Sequence, residues 1–97
     1  MPDPIGQVFS ALADPSRRHV LGYISERGSA TATELTGELP ITRQAVSKHL
    51  TALADAGLVE AERLGRETRY HLTPSGEEWD ERLDALARHL RGRSRSR

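Results

Sequence analysis

Apolar residues recur at helical spacing along the first 56 positions. Ile5, Val8, Phe9 and Leu12 follow the i, i+3, i+4, i+7 pattern of a one-sided helix. Asp14-Pro15 sets an N-cap before a proline at the first helical position, where the missing N–H costs nothing. The second helix it opens runs through Val20, Leu21 and Ile24, with Gly28 as a stop. Thr31 and Glu34 have the spacing of a capping box. They predict a short third helix with Leu35 and Leu39 inward and Pro40 at its end. Thr42 caps a fourth helix, from about Arg43 to Ala56, which Gly57 closes with a left-handed turn.

From residue 58 the period changes. Leu58 and Val59 start a strand, Leu64-Gly65-Arg66 supply a turn, and Thr68, Tyr70 and Leu72 alternate with Glu67, Arg69 and His71. The alternation places Arg63 and Arg69 together on one polar face, with Arg66 at the tip. Thr73-Pro74 repeats the cap-then-proline signal. Trp79, Leu83, Leu86 and Leu90 then mark a last helix with spacings of four, three and four. Gly6, Gly22 and Gly76 have no turn or helix end to explain them. The expected class is mainly α with a small β-hairpin, in the order four helices, hairpin, helix.

On a helical wheel of ~100° per residue, Val46, Leu50 and Leu53 fall together and must face a core. Gln44, Ser47, Lys48, Thr51 and Asp55 collect on the opposite side. Four of these five donate hydrogen bonds or carry positive charge, and three lie in the first two turns. A helix that enters the major groove needs this arrangement, because its N-terminal end comes nearest the base edges. Gln pairs with adenine N6 and N7, Lys reaches guanine O6 or N7, and Ser adapts to either. Arg43 and His49 lie on the flanks of the wheel, where phosphates are nearer than bases. An arginine at the narrow tip of the hairpin can enter a minor groove. A polar helix face is usually only solvated, and the hairpin arginines have Glu60, Glu62 and Glu67 as surface partners. The order of capped short helix, break at Pro40-Ile41-Thr42, polar helix and basic hairpin is what favours duplex DNA.

Charge complicates this picture. The chain of 97 residues has fourteen basic and fourteen acidic side chains. Four of the basic ones lie in the terminal RGRSRSR, which leaves residues 1–90 with ten against fourteen, a net of −4. A DNA surface must therefore be a local basic patch on an acidic body. Residues 1–90 are expected to form one domain and residues 91–97 a disordered basic tail. There is no cysteine, and no apolar run near the ~18 residues that span a bilayer. The expected location is the cytoplasm.

ALADPSRRHVLGYI, ITRQAVSKHLTALADAGLV and the GRExxY segment that follows are together similar to the ArsR/SmtB family of bacterial winged helix-turn-helix repressors. The resemblance covers roughly residues 5–90. It implies a homodimer joined through the first and last helices, binding operator DNA with an inducer that lowers affinity. It makes Thr42–Ala56 the recognition helix and carries DNA contact onto Arg43, Gln44, Ser47, Lys48 and His49, with Arg66 as the wing arginine. With the residues read from the wheel and the hairpin, the candidate DNA set is Thr42, Arg43, Gln44, Ser47, Lys48, His49, Thr51, Arg63, Arg66 and Arg69.

The metal-sensing members of the family carry a cysteine pair, or Asp-x-His with His-x-x-His or His-x-x-Glu in the last helix. Here the last helix offers Asp80, Asp84 and His89 without that spacing, and His19, His49 and His71 are scattered. No metal and no cofactor is expected. The effector, if one acts, is a small molecule of unidentified kind.

Apolar stripes on both terminal helices point to the same dimer. A core this small cannot bury both Ile5, Val8, Phe9, Leu12 and Trp79, Leu83, Leu86, Leu90, and an isologous partner can cover the remainder. Catalysis is excluded for want of any constellation of cooperating groups. A protein-binding module would show apolar or acidic residues where Gln44, Ser47 and Lys48 stand. A nonspecific architectural DNA binder would have a basic body.

Overall fold

The helices begin where their caps stand. The computed structural model describes residues 3–95, with side chains as far as residue 92. Asp3 accepts the Ile5 N–H at the start of α1 (Pro4–Leu12), and Asp14 accepts that of Arg17 at the start of α2 (Pro15–Arg27). Thr31 and Glu34 close a reciprocal capping box on α3 (Ala32–Glu38), with both bonds at 3.0 Å. Thr42 accepts the Ala45 N–H at the start of α4 (Arg43–Asp55). Each such cap satisfies a backbone donor that the first turn otherwise leaves unpaired.

The sheet has three strands rather than two. The hairpin is β2 (Val59–Leu64) and β3 (Glu67–Leu72), and the segment before α3 adds β1 (Ala30–Thr31) on the far side of β3. Two residues are too few to show alternation, so β1 left no periodic signal. Gly65 takes φ +63°, the glycine-first arrangement of a type II′ hairpin turn. This two-residue turn sets Leu64 opposite Glu67 and Arg63 opposite Thr68. Residues whose numbers share parity therefore lie on opposite faces of the two strands. The expectation that Arg63 and Arg69 share a face is wrong for this reason: Arg63 stands with Thr68 and Tyr70, Arg69 with Glu62 and Glu67.

The core lies where α2, α3, α4 and the base of the sheet meet. Val20, Leu21, Ile24, Leu35, Val46, Leu53 and Leu58 are fully buried, and Val8, Ala11 and Leu12 close it from α1. Each buried aliphatic side chain contributes about 1.5–3 kcal/mol. The terminal stripes divide. Val8 and Leu12 enter the core, and Trp79 and Leu83 pack against it, but Ile5, Phe9, Leu86 and Leu90 remain 51–61% exposed. Phe9 meets Trp79 edge-on at 5.6 Å, so the two stripes adjoin.

The last helix, α5, runs Pro74–Arg95. Residues 91–95, expected in a disordered tail, continue it, as arginine's high helix propensity and positive charge at a helix C-terminus favour. Residues 96–97 lie outside the described residues. Thr73 fastens the start of α5 to the end of α4. Its hydroxyl donates to the Gly57 carbonyl at 2.6 Å and accepts the Gly76 N–H at 3.0 Å, while its own N–H donates to the Leu58 carbonyl. Gly76 owes its identity to this junction, because a Cβ there would collide with the Leu58 carbonyl oxygen.

Gly76→Ala should cost about 1–3 kcal/mol through overpacking. Gly37→Ala, in open space on α3, should gain up to ~1 kcal/mol from helix propensity. Urea unfolding midpoints moving in opposite directions are the expected outcome; a neutral Gly76→Ala would contradict the close approach.

Candidate nucleic-acid interface

Burial of Val46, Leu50 and Leu53 fixes the rotation of α4 and turns Gln44, Ser47, Lys48 and Thr51 outward. Gln44, Ser47 and Lys48 make no side-chain hydrogen bond or ion pair among the described residues. Arg43, also exposed, donates to Thr33 Oγ1 at 3.3 Å and so links the second helix of the pair to the first. The Thr42 hydroxyl is engaged as the cap.

A polar trough of about 670 Å³ separates this helix from the wing. Arg43 and Ser47 line one wall and Arg66, Thr68 and Tyr70 the other, with Thr33 and Glu34 at the α3 end. Arg66 is exposed at the hairpin tip, and Arg63 curls beside it, donating to the Gly65 carbonyl at 3.0 Å. The structure thus brings Arg43, Ser47 and Arg66 together around the trough, and Ser47, Lys48 and Thr51 together along a second groove on α4.

Two expected members of the set are elsewhere. His49 is only 7% exposed. It stands about 60° from Val46 on the wheel, and α2 covers that edge: Arg17 Nε donates to His49 Nδ1 at 3.2 Å. Arg17 also donates to the Ala11 carbonyl, and Arg18 to that of Leu12 at 2.6 Å, so both cations satisfy the C-terminus of α1. Arg18 is therefore partly buried. Burial holds the His49 imidazole below its ordinary pKa; Asp14 opposes this, while Arg17 and Lys48 add to it.

Arg69 is the second. It lies on the far face of the hairpin, donating to Ser29 Oγ and Glu34 Oε1 at 3.0 Å and to Glu67 Oε2 at 3.3 Å. The Thr31 N–H, with Arg69 adding, holds the Glu34 carboxyl below the usual carboxylate range. Sequence patterns did not reveal the roles of Arg17 and Glu34 in shaping the site. Glu34 carried only a capping signal, and the Arg17–His49 contact spans 32 positions. Among the described residues no cluster of three metal-ligating side chains is present, and no helix is long and apolar enough to cross a membrane.

A capped helix pair followed by a hairpin beside the second helix defines a winged helix-turn-helix DNA-binding protein. A family model described as a helix-turn-helix domain matches residues 12–62. The HTH-type transcriptional regulator YuzN of Bacillus subtilis is 48% identical over 61% of this chain and 71% of its own. An ArsR-like transcriptional regulator from Rhodococcus sp. RHA1 shares the fold with a TM-score of 0.72 at 34% identity, covering 96% of this chain and 88% of that one. The homodimeric winged helix-turn-helix DNA-binding domain of a possible ArsR-family regulator from Mycobacterium bovis gives 0.73 at 28% identity, over 93% and 80%. The chain spans 54% and 59% of the length of two other curated relatives. The chain belongs to the ArsR family of helix-turn-helix transcriptional regulators. It is a DNA-binding regulator and not an enzyme.

The buried imidazole has a consequence for stability. The unfolded chain takes up a proton near pH 6.5 that the folded chain resists, so this contribution is complete above about pH 6.5 and is lost as pH falls towards the folded value. The urea midpoint at about pH 5.5 should lie below that at about pH 7. His49→Gln can still accept from Arg17 and should flatten the fall. An equal fall in the variant would assign the effect to other groups.

Proposed function

We propose that this chain is a homodimeric repressor that binds a palindromic operator in the cytoplasm. The observation that carries the reading is the unengaged Gln44, Ser47 and Lys48 on the outer face of α4, with the exposed Arg66 across the trough. Gln44 and Lys48 supply base-reading groups, Ser47 and Thr51 adaptable ones, and Arg43, Arg63 and Arg66 phosphate or minor-groove contacts. Repression follows from the family resemblance, and an unidentified small molecule would relieve it.

The dimer is supported by the exposed side chains of Ile5 and Phe9 on α1 and Leu86 and Leu90 on α5, on stripes that meet at Phe9 and Trp79. It is also supported by the Mycobacterium bovis relative, whose DNA-binding domain is homodimeric. A second copy related by a two-fold axis would cover these four residues. It would also present two recognition helices to successive major grooves about 34 Å apart.

The test is fluorescence anisotropy with a duplex from the gene's own upstream region beside a scrambled duplex. Specific binding should weaken at least about thirty-fold in a Gln44→Ala/Lys48→Ala variant, since each base-reading contact is worth about 1–3 kcal/mol. Equal binding to both duplexes with a steep salt slope would mean recognition of the backbone alone. For the assembly, Leu86→Glu/Leu90→Glu should sediment as a folded monomer and lose operator affinity; a dimer that survives both changes would place the seam elsewhere.

A further inference from the structure

The base of the wing rests on the core through Val59, Tyr70 and Leu72. β1 gives the sheet two residues, Ala30 opposite Tyr70 and Thr31 opposite Arg69. Beside that short ladder one guanidinium spans three segments. Arg69 reaches Ser29 before β1, Glu34 in the first turn of α3 and Glu67 next to the hairpin tip. Its side chain is 23% exposed. Glu34 is itself fixed, since the same Oε1 that takes Arg69 also accepts the Thr31 N–H. α3 is in turn tied to the recognition helix by buried Leu35 and by the Arg43–Thr33 hydrogen bond. A continuous line of contacts therefore runs from α4 through α3 and Glu34 to Arg69 and the middle strand of the sheet. Three residues before Arg69 in the chain is Arg66.

We propose that Arg69 and Glu34 form a clasp that sets the position of the wing, and with it Arg66, relative to the recognition helix. Both are positioning residues that stay off the DNA. The inference rests on the DNA-binding reading above for its effect on affinity, but not for its effect on the wing itself. β3 is central in the sheet order β1-β3-β2, so anchoring β3 anchors the whole hairpin. Exposed ion pairs are individually weak, but here the planar fork of arginine meets in Glu34 a partner already held by the Thr31 N–H.

Glu34→Gln gives the sharpest test. Glutamine also serves at this position of a capping box, so α3 keeps its cap while the charge facing Arg69 is removed. If Arg69 were a phosphate contact masked by Glu34, Glu34→Gln would free it and strengthen DNA binding. A clasp requires the opposite sign: Glu34→Gln and Arg69→Gln should each weaken operator binding, by about three- to tenfold, at temperatures where both remain folded. Arg66→Ala should then cost much less in the Arg69→Gln background than in wild type, because a misplaced wing no longer delivers Arg66. Tighter binding by Glu34→Gln, or an Arg66→Ala cost that is the same in both backgrounds, overturns the clasp.

A readout without DNA separates this from failure of the DNA-binding reading. The amide 15N relaxation of Gly65 and Arg66 should report larger-amplitude motion in both variants than in wild type. Unchanged tip motion overturns the clasp whatever the DNA result. A loosened tip in a chain that binds no duplex sustains the clasp and defeats the operator reading instead.

Discussion

Val46, Leu50 and Leu53 are almost wholly withdrawn from water, and they share their core with Val20, Leu21 and Ile24 of α2. A helix of thirteen residues has little else to hold it. Burying this stripe determines which side of α4 faces outward, and Gln44, Ser47 and Lys48 present their polar groups because the opposite face has no freedom to turn. The other elements serve the same packing. α1 closes the core, the arginines of α2 tie down the end of α1, and α3 braces the recognition helix through Leu35 and the Arg43–Thr33 bond.

Residues 1–90 carry a net charge of −4, so the surface proposed to face DNA is a small basic exception on an acidic body. Many of the basic side chains are already engaged. Arg17, Arg18 and Arg69 hold the structure together, and Arg27, Arg82 and Arg88 pair with nearby carboxylates. What faces outward beside the trough is a short list: Arg43, Lys48, Arg63 and Arg66. Binding to arbitrary duplex through bulk charge is poorly served by such a surface, and recognition through a few placed contacts is well served.

Much of the fold was legible in the sequence because caps and apolar stripes are local signals. Asp14, Thr31, Thr42 and Thr73 each stand at the helix start that the spacing predicts. The outer face of α4 was legible for the same reason, since it is the complement of a stripe. What escaped depends on contacts between distant segments. β1 exists only as a partner of β3, His49 is buried only because α2 crosses it, and Arg69 finds Glu34 across 35 positions. The face of Arg63 was misplaced by a single parity, fixed by whether the turn holds two residues or three.

Thr73 has a mechanical consequence. It bonds to Gly57 and Leu58 at the foot of α4 and to Gly76 at the head of α5, so one residue rivets the long terminal helix to the recognition helix. There is no slack linker at that joint to absorb a tilt. The twenty-two-residue helix is held at its head by Thr73 and seated on the core one and two turns further on by Trp79 and Leu83. Any change in the seating of its head would be felt at the end of α4 through these bonds.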